Sequence, residues 1–183
     1  ARTSAGRENC AATGPLQTRW ARDVSPANAL PEYPRPQMVR KEWLNLNGLW
    51  DFDLTPSDAS KPVQFQNQIL VPFAVESALS GVMKHVSEKE RLWYRRQFDV
   101  PRPWFGRRVL LHFGAVDFET TVWVNGKEVG RHRGGYDGFT FDITDALQAN
   151  GSNELVVATQ DPTDAGTQPR GKQSKSVAKA VAD

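Results

Sequence analysis

Cysteine is all but missing from this chain of 183 residues: Cys10 stands alone, so no disulfide can close within it. A chain of this length buries roughly 70% of its unfolded surface, enough for a core without disulfide or metal staples. Long apolar runs are missing too. Stretches such as VLL at 109–111 and LVV at 155–157 are far too short for a membrane-spanning helix, so no membrane partner is expected. No helical period is sustained for the length of a βαβ crossover, which argues against a parallel α/β sheet. An excess of one charge is also lacking. Twenty-three Lys and Arg stand against 21 Asp and Glu, a net charge of +2, and this excludes the concentrated basic face of a nucleic-acid binder. The three histidines, His85, His112 and His132, fall in neither metal-ligand nor Ser-His-Asp spacing, so neither metal nor cofactor is expected. There is no initiator Met and no signal-peptide core. The expectation is a processed protein or a fragment that has lost its targeting signal. The lone cysteine leaves the compartment open, with a periplasmic or extracellular setting favoured.

What the chain does have is aromatics, six Trp and nine Phe, which suit pleated, half-buried surfaces. Residues 1–42 hold Pro26, Pro31, Pro34 and Pro36 and no regular period, so they predict an extended arm whose first dozen residues are poorly ordered. From Trp43 the texture changes to short strands between turn signals. GLWDFDL alternates Trp50, Phe52 and Leu54 against two aspartates, a half-buried strand. NQILVPF is a second strand stopped by Pro72, and VESALSG is a helical turn closed by Gly81. LWYRRQFDV puts Tyr94, Phe98 and Val100 on one face and Trp93, Arg95, Gln97 and Asp99 on the other. RRVLLHFGAV follows the turn PRPWFG. Asn125-Gly126 predicts a two-residue type I′ hairpin between 121–124 and 127–132. FTFDIT turns Phe139, Phe141 and Ile143 inward, and NELVVATQD is the last clear strand. About eight short strands without a long helix make an all-β sandwich.

In this order, WLNLNGLWDFDL, ILVPFAVESALSGV, LWYRRQFDV, VLLHFGAVDFETTVWVNGKEVGRHRGGYDGFTFDIT and NELVVATQDPTDAGTQPRGKQ resemble the N-terminal domain of glycoside hydrolase family 2. That family includes β-galactosidases, β-glucuronidases and β-mannosidases. The resemblance spans 43–173, and the strand-hairpin-loop run is its most specific part. It implies a jelly-roll β-sandwich like that of galactose-binding domains, the sugar-binding domain of these enzymes. It also implies an immunoglobulin-like domain and a (β/α)₈ barrel in the whole enzyme, the barrel holding two glutamates of a retaining mechanism. The other domains of such a glycosidase are the implied partners, and contact with free carbohydrate is expected to be weak.

A barrel alone needs about 200 residues, which this chain does not have after 173, and no Asn-Glu-Pro triplet occurs. Retaining hydrolysis needs two carboxyls about 5 Å apart, one protonated and one ionised. Three pairs are close in sequence: Glu88 with Glu90, Asp142 with Asp145, and Asp161 with Asp164. The first lies in a Lys- and Arg-rich run that reads as a solvated loop, and the second flanks Thr144, where turn-making is the expected work. The chain by itself is therefore not expected to hydrolyse glycosides. Where the family continues into one more strand, this sequence reads SKSVAKAVAD at 174–183. That basic tail predicts an open strand edge, through which a homodimer could form.

The loop RHRGGYDGF offers Arg133, Tyr136 and Asp137 as sugar contacts. Against this, Gly134, Gly135 and Gly138 let the chain reverse while Tyr136 packs on a sheet, and this scaffold reading is preferred. Trp104 in PRPWFG is the tryptophan expected to be exposed. DPTDAGTQPRGKQ is polar and turn-rich, and the resemblance puts it at the end facing the barrel. Asp161, Gln168 and Arg170 are its candidate contacts with sugar or with a neighbouring domain. Two other readings stay open: a stand-alone carbohydrate-binding module, and an interaction module without sugar affinity.

Overall fold

The computed structural model describes residues 17–148 and 151–162. Eight strands lie among these residues: β1 (Gly48–Pro56), β2 (Asn67–Val71), β3 (Glu90–Phe98), β4 (Leu110–Phe113), β5 (Glu119–Val124), β6 (Lys127–Arg133), β7 (Phe139–Asp142) and β8 (Asn153–Gln160). Six form one sheet in the order β2-β1-β3-β8-β5-β6, and β4 pairs with β7 in a second. Every pairing is antiparallel. The result is the all-β sandwich of the sequence reading. No helix among the described residues is long and apolar enough to cross a membrane.

Period-2 alternation decides which side chains meet between the sheets. Trp50 and Phe52 of β1, Leu92 and Phe98 of β3, Val122 and Val124 of β5, and Leu155 and Val157 of β8 form one cluster with Ile69, Leu111 and Ile143. Burying each such side chain contributes about 1.5–3 kcal/mol. Asn125 at φ 50° and Gly126 at φ 80° close the β5–β6 hairpin with both central residues in the left-handed region, as a type I′ turn requires. The Asn125 side chain does further work. Its Nδ2 donates to Ala146 O and Asn153 Oδ1, both at 2.8 Å, and its Oδ1 accepts from Glu154 N at 2.9 Å. The turn is thereby fastened to β8.

The described part of the arm is docked rather than uniformly extended. Short 3₁₀ turns occupy Ala21–Asp23 and Pro36–Met38. Asn45 and Asn47 both donate side-chain bonds to Leu30 O, at 2.9 and 3.1 Å. Trp43 stacks on His112 of β4 at 5.5 Å and meets Tyr33 edge-on at 4.6 Å. Aromatic packing of this kind holds a proline-rich segment whose sequence has no period of its own. Residues 1–13, expected to be poorly ordered, lie outside the described residues.

Candidate functional site

The antiparallel register brings three connections to one end of the sandwich. Glu119, the first residue of β5, pairs with Arg133 at the end of β6 and with Gln160 at the end of β8. The β4–β5 connection, the β6–β7 connection and Asp161 therefore converge there. Gly134 N donates to Phe118 O at 2.9 Å. Thr159 Oγ1 donates to Asp117 O at 2.8 Å. A side chain at Gly135 would meet the Asp117 carboxylate, its β-carbon standing 2.8 Å from Cγ. At Gly134, where φ is 146°, a β-carbon would stand 2.6 Å from Asp137 Oδ1. Gly135 is thus required because the two loops lie directly on one another, and Gly134 because of its positive φ and the Asp137 side chain of its own loop.

Around this seam stand several polar groups. Partial burial first, and the nearby charge of Asp161 second, raise the Asp117 carboxyl above the usual aspartate value. Asp137 Oδ1 lies 3.5 Å from His132 Nε2, and the His132 ring stacks on Phe139 at 4.1 Å. Arg133 reaches Glu119 at 3.1 Å and covers the Phe118 ring at 5.3 Å. Tyr136 projects into solvent with 79% of its surface exposed. It does not pack on a sheet as the scaffold reading expected: the loop meets the β4–β5 connection through Gly134 and Gly135 instead.

Arg133, Tyr136, Asp137 and Asp161 are therefore brought to one end of the molecule. Trp104 is not. It sits half-buried in the 3₁₀ turn Arg102–Trp104, in the connection leaving β3 at Phe98, which pairs with Asn153 at the opposite end of the sheet. Nor is it the exposed tryptophan: Trp20 is 61% exposed. Gln168, Arg170 and Asp164 lie outside the described residues. The other carboxylates do local work. Glu90 Oε2 accepts from Ser87 N and Oγ, both at 2.9 Å, and Asp142 accepts from Thr144 N and Oγ1. Sequence reasoning passed over Asp117. Its only sequence signal is a carboxylate two residues before a strand, and its neighbours come from distant loops.

The sequence matches the family described as glycosyl hydrolases family 2, sugar binding domain, over residues 43–166. It is 28% identical over 146 residues to a β-glucuronidase of Paenibacillus borealis, covering 76% of this chain and 24% of that protein. It is 32% identical over 123 residues to a β-galactosidase of Thermoanaerobacter pseudethanolicus, covering 65% and 16%. A solved structure of a Faecalibacterium prausnitzii β-glucuronidase superposes with a TM-score of 0.53 at 31% identity, covering 64% of this chain and 20% of that one. The chain spans about a quarter or less of the length of these relatives. With its strand order, its hairpin and its loop seam all inside the matched segment, the chain belongs to glycoside hydrolase family 2, whose sugar-binding domain it carries.

Proposed function

We propose that this domain is a non-catalytic support for the active-site edge of a family 2 β-glycosidase engaged in carbohydrate breakdown. The observation that carries the reading is the convergence of Asp117, Asp161, Asp137 and the exposed Tyr136 at one end of the sandwich. Hydrogen-bond acceptors beside an exposed aromatic ring suit a border with a sugar-filled pocket, and loops fixed on a rigid scaffold are where such contacts concentrate. The proposed partners are the remaining domains of such an enzyme. A β-glucuronide or β-galactoside is the proposed substrate class, after the relatives' activities. Pairing through the β6 edge of the six-stranded sheet has less support, because that strand carries Lys127, Glu128, Arg131 and Arg133, and charges on an edge oppose edge-to-edge association.

The test is a graft. Residues 43–166 replace the matching domain of the Paenibacillus borealis β-glucuronidase, and turnover of chromogenic glycosides is compared with that of the enzyme lacking the domain. Restored turnover supports the reading. A monodisperse, folded graft that restores none contradicts it.

A further inference from the structure

The outer face of the six-stranded sheet is not the solvated surface that strand alternation alone would make. Phe65, from the β1–β2 connection, packs on Trp93, Val156 and Ala158 beside Trp123. Trp93 is only 3% exposed, stacks on Trp123 at 5.8 Å, and donates from Nε1 to Thr55 Oγ1 at 3.0 Å. Beside this aromatic pair runs an open groove of about 530 Å³.

The register lays out its floor in rungs. One rung runs Trp93, Ala158, Thr121, Arg131 across β3, β8, β5 and β6, and Gln160, Glu119 and Arg133 lie side by side in the next. Arg91 precedes Leu92, the partner of Thr159, and donates to Gln160 Oε1 at 3.2 Å. Small residues in the middle of the first rung leave the depression, with guanidinium groups on both flanks. Three interstrand steps make the groove roughly 14 Å across, wide enough for a glycan lying over the sheet.

We propose that this groove binds an oligosaccharide bearing uronic acid carboxylates. Charge complementarity selects that occupant. Arg91, Arg131 and Arg133 line the groove, with Glu119 as its one lining carboxylate among the described residues. Glu119 pairs with Arg133, and Glu128, outside the groove, holds Arg131 at both oxygens. Arg91 is therefore the guanidinium left to match a ligand carboxylate in shape and charge. Arg91 spends its bond on a neutral amide, so its charge is available to a ligand. Gln160, Glu119 and Thr121 offer the mixed donors and acceptors that sugar hydroxyls need, and Trp123, half-buried, offers a ring face. The chain's own end does not suit the site, since Arg170, Lys172, Lys175 and Lys179 make it basic.

The groove shares Glu119, Gln160 and Arg133 with the loop end described above, but its ligand contact at Arg91 and its Trp93–Trp123 wall lie away from that edge. The test titrates the full chain at low salt with tetragalacturonate and with neutral cellotetraose, reading tryptophan fluorescence and calorimetric heat. Saturable binding of the acidic oligomer is expected, with weaker binding of the neutral one and loss of affinity on adding salt. Arg91→Ala should weaken it about tenfold. Ser60→Glu, which adds charge at an exposed wall position without disturbing the core, should weaken it severalfold. No saturable binding by the folded chain, equal binding of cellotetraose, or unchanged affinity in both variants would overturn the proposal. Any of these leaves the graft experiment intact, because a chromogenic monoglycoside is too short to depend on the groove.

Discussion

The ring of Phe141 fills the space that a side chain at residue 130 would need: a β-carbon built on Gly130 falls inside Cε1, Cδ1 and Cζ of that ring. β6 and β7 thus meet by laying an aromatic ring on bare backbone, and Phe141 in turn leans on Phe139 at 5.4 Å. Gly130→Ala should destabilise the fold by about 1–3 kcal/mol through overpacking. Urea unfolding measures it, and Phe141→Leu in the same chain should recover part of the loss, since the two sites share one contact.

Asn153 is fully buried and accepts from both Asn125 Nδ2 and Gln148 N at 2.8 Å. Asn153→Ala should cost about 1–2 kcal/mol, because it removes the shared acceptor of two part-buried donors, Asn125 Nδ2, which keeps its bond to Ala146 O, and Gln148 N. Amide exchange provides the check. Protection should fall first at 125–126 and 146–148, before the centre of β8.

Asp142 ties the end of β7 to its neighbours. Its Oδ1 accepts from Thr144 Oγ1 at 2.6 Å, its Oδ2 accepts from Arg108 Nε at 2.6 Å, and Thr144 Oγ1 in turn accepts from Val109 N at 2.9 Å. These bonds, Thr144's first and then Arg108's, lower its pKa from the usual 3.8 to about 2. A carboxyl depressed on folding contributes stability that is complete above its unfolded pKa and is lost as pH falls through its folded one. Wild type should therefore lose stability between about pH 4 and pH 2, and Asp142→Asn should lose less over that window. Urea midpoints taken across it decide the matter.

Asp117 has the opposite sign. Burial, then the charge of Asp161, raise its pKa above 3.8, so the ionised form disfavours the folded state at neutral pH. Below the unfolded value both states are protonated and the penalty vanishes. Asp117→Asn should raise Tm at pH 7, with the gain shrinking to nothing below about pH 3.8. The variant keeps the backbone oxygen that Thr159 binds, so a lower Tm at pH 7 would contradict the assignment.

Strands, hairpin and inner core were legible because each rests on local chemistry: alternation at Trp50 and Phe52, positive φ at Asn125-Gly126, a proline stop after β2. Three features were not. Trp93 stands on the face opposite the main core, and Phe65, far off in sequence, and Trp123 pack against its cluster and bury it. Tyr136 is exposed in a loop whose contact with the Asp117 connection runs through Gly134 and Gly135, and no local pattern encodes that long-range contact. The groove needs residues from β3, β5, β6 and β8 at once. Its arginines look like ordinary solvated charges until the register sets Arg131 and Arg133 on the far side of Ala158 and Thr121 from Trp93.

The most direct test of a supporting role at an active-site edge is kcat/KM of the grafted enzyme with and without Asp161→Asn. A fall of about tenfold or more without any loss of Tm, equivalent to about 1.4 kcal/mol of transition-state stabilisation, is the predicted result. Equal kcat/KM in the two grafts, both fully folded, would contradict it and leave this end of the sandwich without a part in the chemistry.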